Sequence, residues 1–125
     1  MKLPKAARLR RRREFLAVQE RGARLCSGDL LVLRGGAAVD RPRIGITVSS
    51  KVANAVGRNQ VKRWVREAFR EIQAELPPVD LVVIARSGAL VGGLPGARRA
   101  LAAARDRLRR QAATVGGGLV PGRGP

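Results

Sequence analysis

The stretch Arg58 to Ile72, RNQVKRWVREAFREI, holds the chain's densest set of chemically capable side chains, and the chemistry they suit is phosphate binding. On a helix turning about 100° per residue, Val61, Val65, Ala68 and Ile72 form one apolar stripe with Trp64 at its edge. Glu67 and Glu71 lie beside Gln60 on another arc. Arg58, Lys62, Arg66 and Arg70 follow one another at intervals of four, flanked by Asn59 and Arg63, and form a ridge roughly 18 Å long. Like charges at that spacing repel by about 0.2–0.5 kcal/mol per pair, and no acid stands between these cations. An external polyanion would relieve the strain. A charge run taken alone more often marks a solvated face, but the segregation into three arcs and the charge of the whole chain favour phosphate. Asn54 or Asn59 is suited to cap or turn the backbone at the helix start, where free N–H groups also attract phosphate.

Other chemistries are closed off by what the chain lacks. It has no histidine, no tyrosine and one cysteine, Cys26. That excludes a histidine base, a Cys/His metal site and an intramolecular disulfide. Asp29, Asp40, Asp80 and Asp106 are scattered, with no paired-carboxylate pattern for metal-dependent hydrolysis. No cofactor is expected on the protein alone, and no small-molecule substrate. Lys plus Arg is 26 against 9 Asp plus Glu, a net charge of +17, which calls for a polyanionic partner.

These residues need elements to position them. A chain of 125 residues fits one domain, and 45% hydrophobic content is enough to close a small core. Residues 1–8 read as a flexible basic arm on a single domain covering 1–115, and 116–125 as a disordered Gly/Pro-rich tail. Arg8 to Arg21 reads as a short helix stopped by Gly22. Asp29 to Arg34 and Arg43 to Ser49 read as strands, Gly57 to Glu75 as the central helix, and Val79 to Ala85 as a strand buried on both faces. Strand, helix and buried strand in succession suggest a β-α-β unit with parallel strands. After a loop, SGALVGGLPG, a last helix from about Ala97 to Thr114 places Ala97, Leu101, Ala104 and Leu108 at helical spacing. The fold class is α/β, a two-layer α+β sandwich with a small mixed sheet packed by helices. No apolar run reaches the roughly 18 residues of a membrane span, and no signal peptide is visible, so a cytoplasmic location and no membrane partner are expected.

Val48 to Arg70, VSSKVANAVGRNQVKRWVREAFR, resembles the signature of the bacterial ribonuclease P protein subunit. The likeness extends to Arg13-Glu14-Phe15, Arg21-Gly22, Arg43-Ile44-Gly45 and Val83-Ile84-Ala85-Arg86. It implies a left-handed β-α-β crossover, against the usual right-handed rule. It also implies a protein that assists a catalytic RNA, whose bound Mg²⁺ cuts the 5′ leader from precursor tRNA. By this resemblance Lys51, Arg58, Asn59, Lys62, Arg63, Arg66 and Arg70 face the catalytic RNA, with Asn54 added to the RNA-binding set from its place at the helix start, and a cleft between the motif helix and the sheet receives the leader. Phe15 is placed at that cleft or in the core, with Arg34 beside it in the leader's path.

The chain departs from the family pattern at several places. Gln60 replaces the second arginine of the motif, and Ser50 replaces a frequent lysine. Gln19 and Arg34 stand where aromatic residues are common, and aromatics make up only 2% of the chain. Several stacked rings are therefore not available to hold leader bases, and leader affinity is expected to be mostly electrostatic, with Arg34 contributing more than Phe15. The rival reading is a ribosomal or general RNA-binding protein, which the same charge and size would fit; only the motif separates the two.

Overall fold

The computed structural model describes residues 3–26, 28–36 and 39–116, with side chains through residue 111. Its elements run α1 (Arg12–Arg21), β1 (Ala23–Cys26), β2 (Leu30–Arg34), β3 (Arg43–Val48), α2 (Ala55–Ile72), β4 (Asp80–Ala85) and α3 (Ala89–Gly116). The four strands form one mixed sheet in the order β1-β2-β4-β3. β3 and β4 are parallel, as the β-α-β pattern requires, and the other two pairings are antiparallel.

Strand alternation divides the core. Leu30 and Val32 of β2, Ile44 of β3, and Leu81, Val83 and Ala85 of β4 point to one face, where α2 and α3 cover them. Val61, Val65, Ala68 and Phe69 of α2, with Ala97, Leu101, Ala104 and Leu108 of α3, complete this larger layer. The residues between them in sequence, Leu33 and Val82, meet Leu9 and Val18 on the opposite face under α1. After Asp80, β4 is apolar from Leu81 to Ala85 because it is central and covered on both sides.

The N-terminal segment differs from the expected loose arm over its described part. Leu3 and Ala7 are buried in the main core and Leu9 in the smaller one. A 3-10 turn spans Lys5–Ala7, and Arg8 bridges to Ile44 on β3, while the Leu9 N–H donates to the Ile44 carbonyl at 2.9 Å. The segment thus covers the open edge of β3, which would otherwise expose unpaired backbone groups. That pairing also explains why α1 starts at Arg12 and not at Arg8. Its start is set by Glu14, whose Oε1 accepts from the Arg10 and Arg11 N–H groups at 3.1 Å each. The first two residues and the Gly/Pro-rich end from 117 lie outside the described residues.

α3 begins earlier than the expected Ala97. Helical turns start at Ala89, and the chain bends at Gly93, whose φ of 61° and ψ of −161° suit only glycine. Pro95 follows directly and opens the second helical run with its fixed φ. Gly and Pro therefore mark the bend between two helical runs, where the sequence reads as a loop.

Candidate nucleic-acid interface

α2 is fixed at its start by Asn54, whose Oδ1 accepts from the Gly57 N–H at 2.8 Å. Of the two candidate caps, Asn54 is the cap and Asn59 is exposed on the next turn. Lys51 is exposed in the turn before it, with its N–H donating to Ser49 Oγ at 3.3 Å. Val61, Val65, Ala68 and Phe69 hold the helix on the sheet, each no more than 1% exposed. Phe69 joins the apolar stripe predicted from the sequence, while Ile72 sits at its half-buried margin.

The cations are grouped differently from the ridge at intervals of four. Such a row drifts by about 40° per step around a helix of 3.6 residues per turn. Arg58 consequently falls near the buried arc and turns back, Nη1 donating to the Ala53 carbonyl at 3.0 Å. Asn59, Arg63, Arg66 and Arg70, spaced four, three and four, stay within an arc of about 60°. They line one groove of about 730 Å³ with Leu3, Arg8 and Glu67, and Lys62 lies outside that lining.

The groove carries unrelieved positive charge. Burial first, and then the charge of Arg8, push the Arg66 guanidinium below its usual value, although an arginine remains a cation at ordinary pH. The Nε atoms of Arg8 and Arg70 are buried without a hydrogen-bond partner. Glu67 pairs with Arg70 and is the one acid in the lining. Glu71 turns away to α3, accepting from Arg98 Nε and Nη2 at 2.9 and 2.7 Å. Sequence reading missed Arg8, though the apolar residues Leu3, Ala7 and Leu9 at intervals through a basic stretch are the signal that this segment docks.

Among the described residues, the space between α2 and the sheet, where the resemblance puts the leader cleft, is filled by the packed main core. Phe15 stands on the opposite face, under α1, half-buried against Leu9, Val18, Leu33 and Val82. Its ring lies over Gly45 of β3 so closely that a Cβ there would collide with it. Leu31 and Ile84 are half-exposed beside it, so this face offers a shallow apolar surface with one ring. Arg34 is not brought to Phe15. It ends β2 in a separate crease with Val18, Arg21 and Asp80, its Nε buried and unpartnered. Gln19 is exposed on α1.

α1 is tied across this face by an ion cluster that the sequence reading did not anticipate. Arg43 donates to both Asp80 carboxylate oxygens at 2.9 Å and to Glu14 Oε2 at 3.1 Å. Arg43 and Asp80 are direct register partners in the parallel pair, so two opposite charges at the starts of two predicted strands were the available signal. Hydrogen bonds from the Arg11 N–H above all, opposed by burial and aided by Arg10 and Arg43, hold the Glu14 carboxyl below its usual range.

The profile of the ribonuclease P protein matches residues 3–109. This chain belongs to the ribonuclease P protein family. The ribonuclease P protein component of Citrifermentans bemidjiense is 41% identical over 108 residues, covering 86% of this chain and 93% of the relative. The RNase P protein of Staphylococcus aureus superposes with a TM-score of 0.71 at 28% identity, over 86% of this chain and 96% of that one. The Thermotoga maritima RNase P protein gives 0.69 at 35% identity, over 82% and 96%. The chain is thus a protein component of ribonuclease P, a ribonucleoprotein endoribonuclease of tRNA processing, and its partner includes RNA. Membership decides against the general RNA-binding reading. Among the described residues, no helix is long and apolar enough to cross a membrane.

Proposed function

We propose that the α2 groove docks on the RNA subunit of ribonuclease P, and that the α1 face of the sheet receives the 5′ leader of precursor tRNA. The observation that carries this reading is the groove itself. Arg8, Arg63, Arg66 and Arg70 converge there with a single acid, and two guanidinium nitrogens are buried with no partner. Phosphate oxygens accept from guanidinium groups lining the groove, and the repulsion between Arg8 and Arg66 becomes attraction for an anion placed between them. Lys51, Arg58, Asn59 and Lys62 extend the contact around the same end of α2, and Asn54 acts by holding the helix start. On the other face, Phe15 offers its exposed edge to a base, while Arg34 contacts leader phosphates from the rim.

Phosphodiester cleavage belongs, in this proposal, to the RNA subunit, with Mg²⁺ held by RNA and substrate. Among the described residues no three His, Cys, Asp or Glu side chains converge to hold a metal, so the residues present do not fit one. The protein acts from the cytoplasm by positioning RNA on RNA.

Reconstitution tests the reading. The chain, mixed with the ribonuclease P RNA of its own organism, should promote leader removal at Mg²⁺ concentrations where the RNA alone is slow. Arg63→Gln/Arg66→Gln should weaken assembly and flatten its log–log salt slope by about 0.7–0.9 for each phosphate no longer neutralised. Leader removal by the purified protein without RNA, or an unaltered slope in the double variant, would contradict it.

A further inference from the structure

A second basic concavity lies beyond the groove. It measures about 390 Å³ and is lined by six cations, Lys5, Arg8, Arg10, Arg11, Arg41 and Arg43, and by two acids, Glu14 and Asp40, which are paired with Arg43 and Arg41. Arg8 lines both cavities, so the two positive surfaces are continuous through one side chain. Among the described residues, the side chains of Lys5, Arg8, Arg10 and Arg11 make no ion pair, and Arg41 reaches only Asp40, at 3.6 Å on the exposed surface. The backbone beneath them is pinned. Leu3, Ala7 and Leu9 are buried, residue 8 pairs with β3, and Glu14 holds the Arg10 and Arg11 N–H groups. A charge array on a fixed backbone binds with less ordering cost than one on a loose tail.

We infer that this N-terminal notch is a second phosphate-binding surface for the RNA subunit, joined to the α2 groove through Arg8. The inference rests on the reading of that groove as the RNA-subunit interface. Charge distribution decides between the RNA subunit and the leader. Towards the α2 groove the surface stays positive through Arg8, whose buried Nε lacks an acceptor. On its α1 side, towards Phe15, the wall of the notch is itself the Glu14 carboxylate, and the cation there, Arg43, is already held by Asp80 and Glu14. A phosphate backbone leaving the groove therefore meets attraction in the notch, whereas one crossing to the Phe15 face meets a carboxylate.

The test uses Lys5→Gln/Arg10→Gln/Arg11→Gln, all exposed side chains, in the full chain with the ribonuclease P RNA over a salt series. Arg63→Gln/Arg66→Gln is measured in parallel, and the assembled holoenzymes are titrated with precursor tRNAs bearing or lacking a leader. The triple variant should weaken binding to the RNA on the order of tenfold or more at low salt and flatten the slope by about 0.7–0.9 per phosphate released. The advantage of leader-bearing over leaderless substrate should be unchanged. If the groove variant loses RNA affinity and the triple variant does not, the notch inference fails alone; if neither does, the groove reading fails with it. Loss confined to leader-bearing substrate would assign the notch to the leader and overturn the inference.

Discussion

The contact between Phe15 and Gly45 answers a question that composition leaves open. With so few rings in the chain, Phe15 reads equally as a core residue or as a base-stacking one. It is half-buried because one side of the ring is packed on the sheet and the other edge is free. The glycine at position 45 is what lets the ring lie flat on β3, and the sequence shows it only as a gap in an alternating strand. Gly45→Ala should therefore cost about 1–3 kcal/mol of stability by overpacking. In a double-mutant cycle, Phe15→Ala should absorb most of that cost, since it removes the atoms with which the new methyl collides. Urea denaturation of the four proteins measures the coupling. Additive losses would mean that the ring does not rest on Gly45.

At the scale of elements, the readable parts were those governed by periodicity alone. α2, β3 and β4 follow from apolar spacing, and their parallel pairing follows from their order. β1 is missed as an element because its four residues bury only Leu25, with a register shift before Cys26. Phe69 is missed in the stripe because it falls about 40° beyond Val65, outside the narrow arc of Val61, Val65, Ala68 and Ile72. The attachment of α1 is invisible for another reason: Arg43, Asp80 and Glu14 are distant in sequence and meet only in the folded register. Asp80 is 7% exposed, so Asp80→Asn leaves Arg43 short of its main partner and should cost about 3 kcal/mol. Protonation probes the same cluster. The Glu14 carboxyl is held below its ordinary 4.5, so as pH falls the unfolded chain takes up the proton first. The stabilisation by Glu14 is then complete above about pH 4.5 and lost as pH falls through the folded value. Glu14→Gln should lower stability near neutrality and flatten its acid dependence; parallel stability–pH curves for the variant and the parent would remove Glu14 from that role.

Across the whole molecule, most of the few acids are engaged by arginines, and those on the proposed RNA surfaces, Glu67 in the groove and Glu14 and Asp40 in the notch, are each paired with one. Glu71 meets Arg98, Glu75 meets Arg105 and Arg109 at 3.5 Å, and Asp80 and Glu14 meet Arg43. Much of the basic charge of α3 is thereby compensated on the surface it shares with α2. The groove and the N-terminal notch keep theirs. The sheet separates the groove from the Phe15 face, with the main core on one side and the smaller cluster on the other, and the notch lies at the start of α1. Two surfaces of different chemistry should respond differently to salt. Phosphate contacts release counterions and weaken steeply with ionic strength, whereas stacking of a base on a ring is worth about 1–3 kcal/mol and changes little. Arg34, expected from the sequence to hold the leader in place of a missing ring, lies in a crease apart from Phe15, so the expectation shifts from charge to the ring. Holoenzyme assembly should thus lose affinity steeply as salt rises, while the leader's contribution to precursor tRNA binding persists at high salt. Phe15→Ala should remove more of that persistent part than Arg34→Ala, and Arg34→Ala should act mainly at low salt. Binding of leader-bearing and leaderless substrates to both variants across a salt series separates the terms. If the leader's contribution instead vanishes with salt and follows Arg34, the leader is held by charge, and the ring on Gly45 serves only to pack α1.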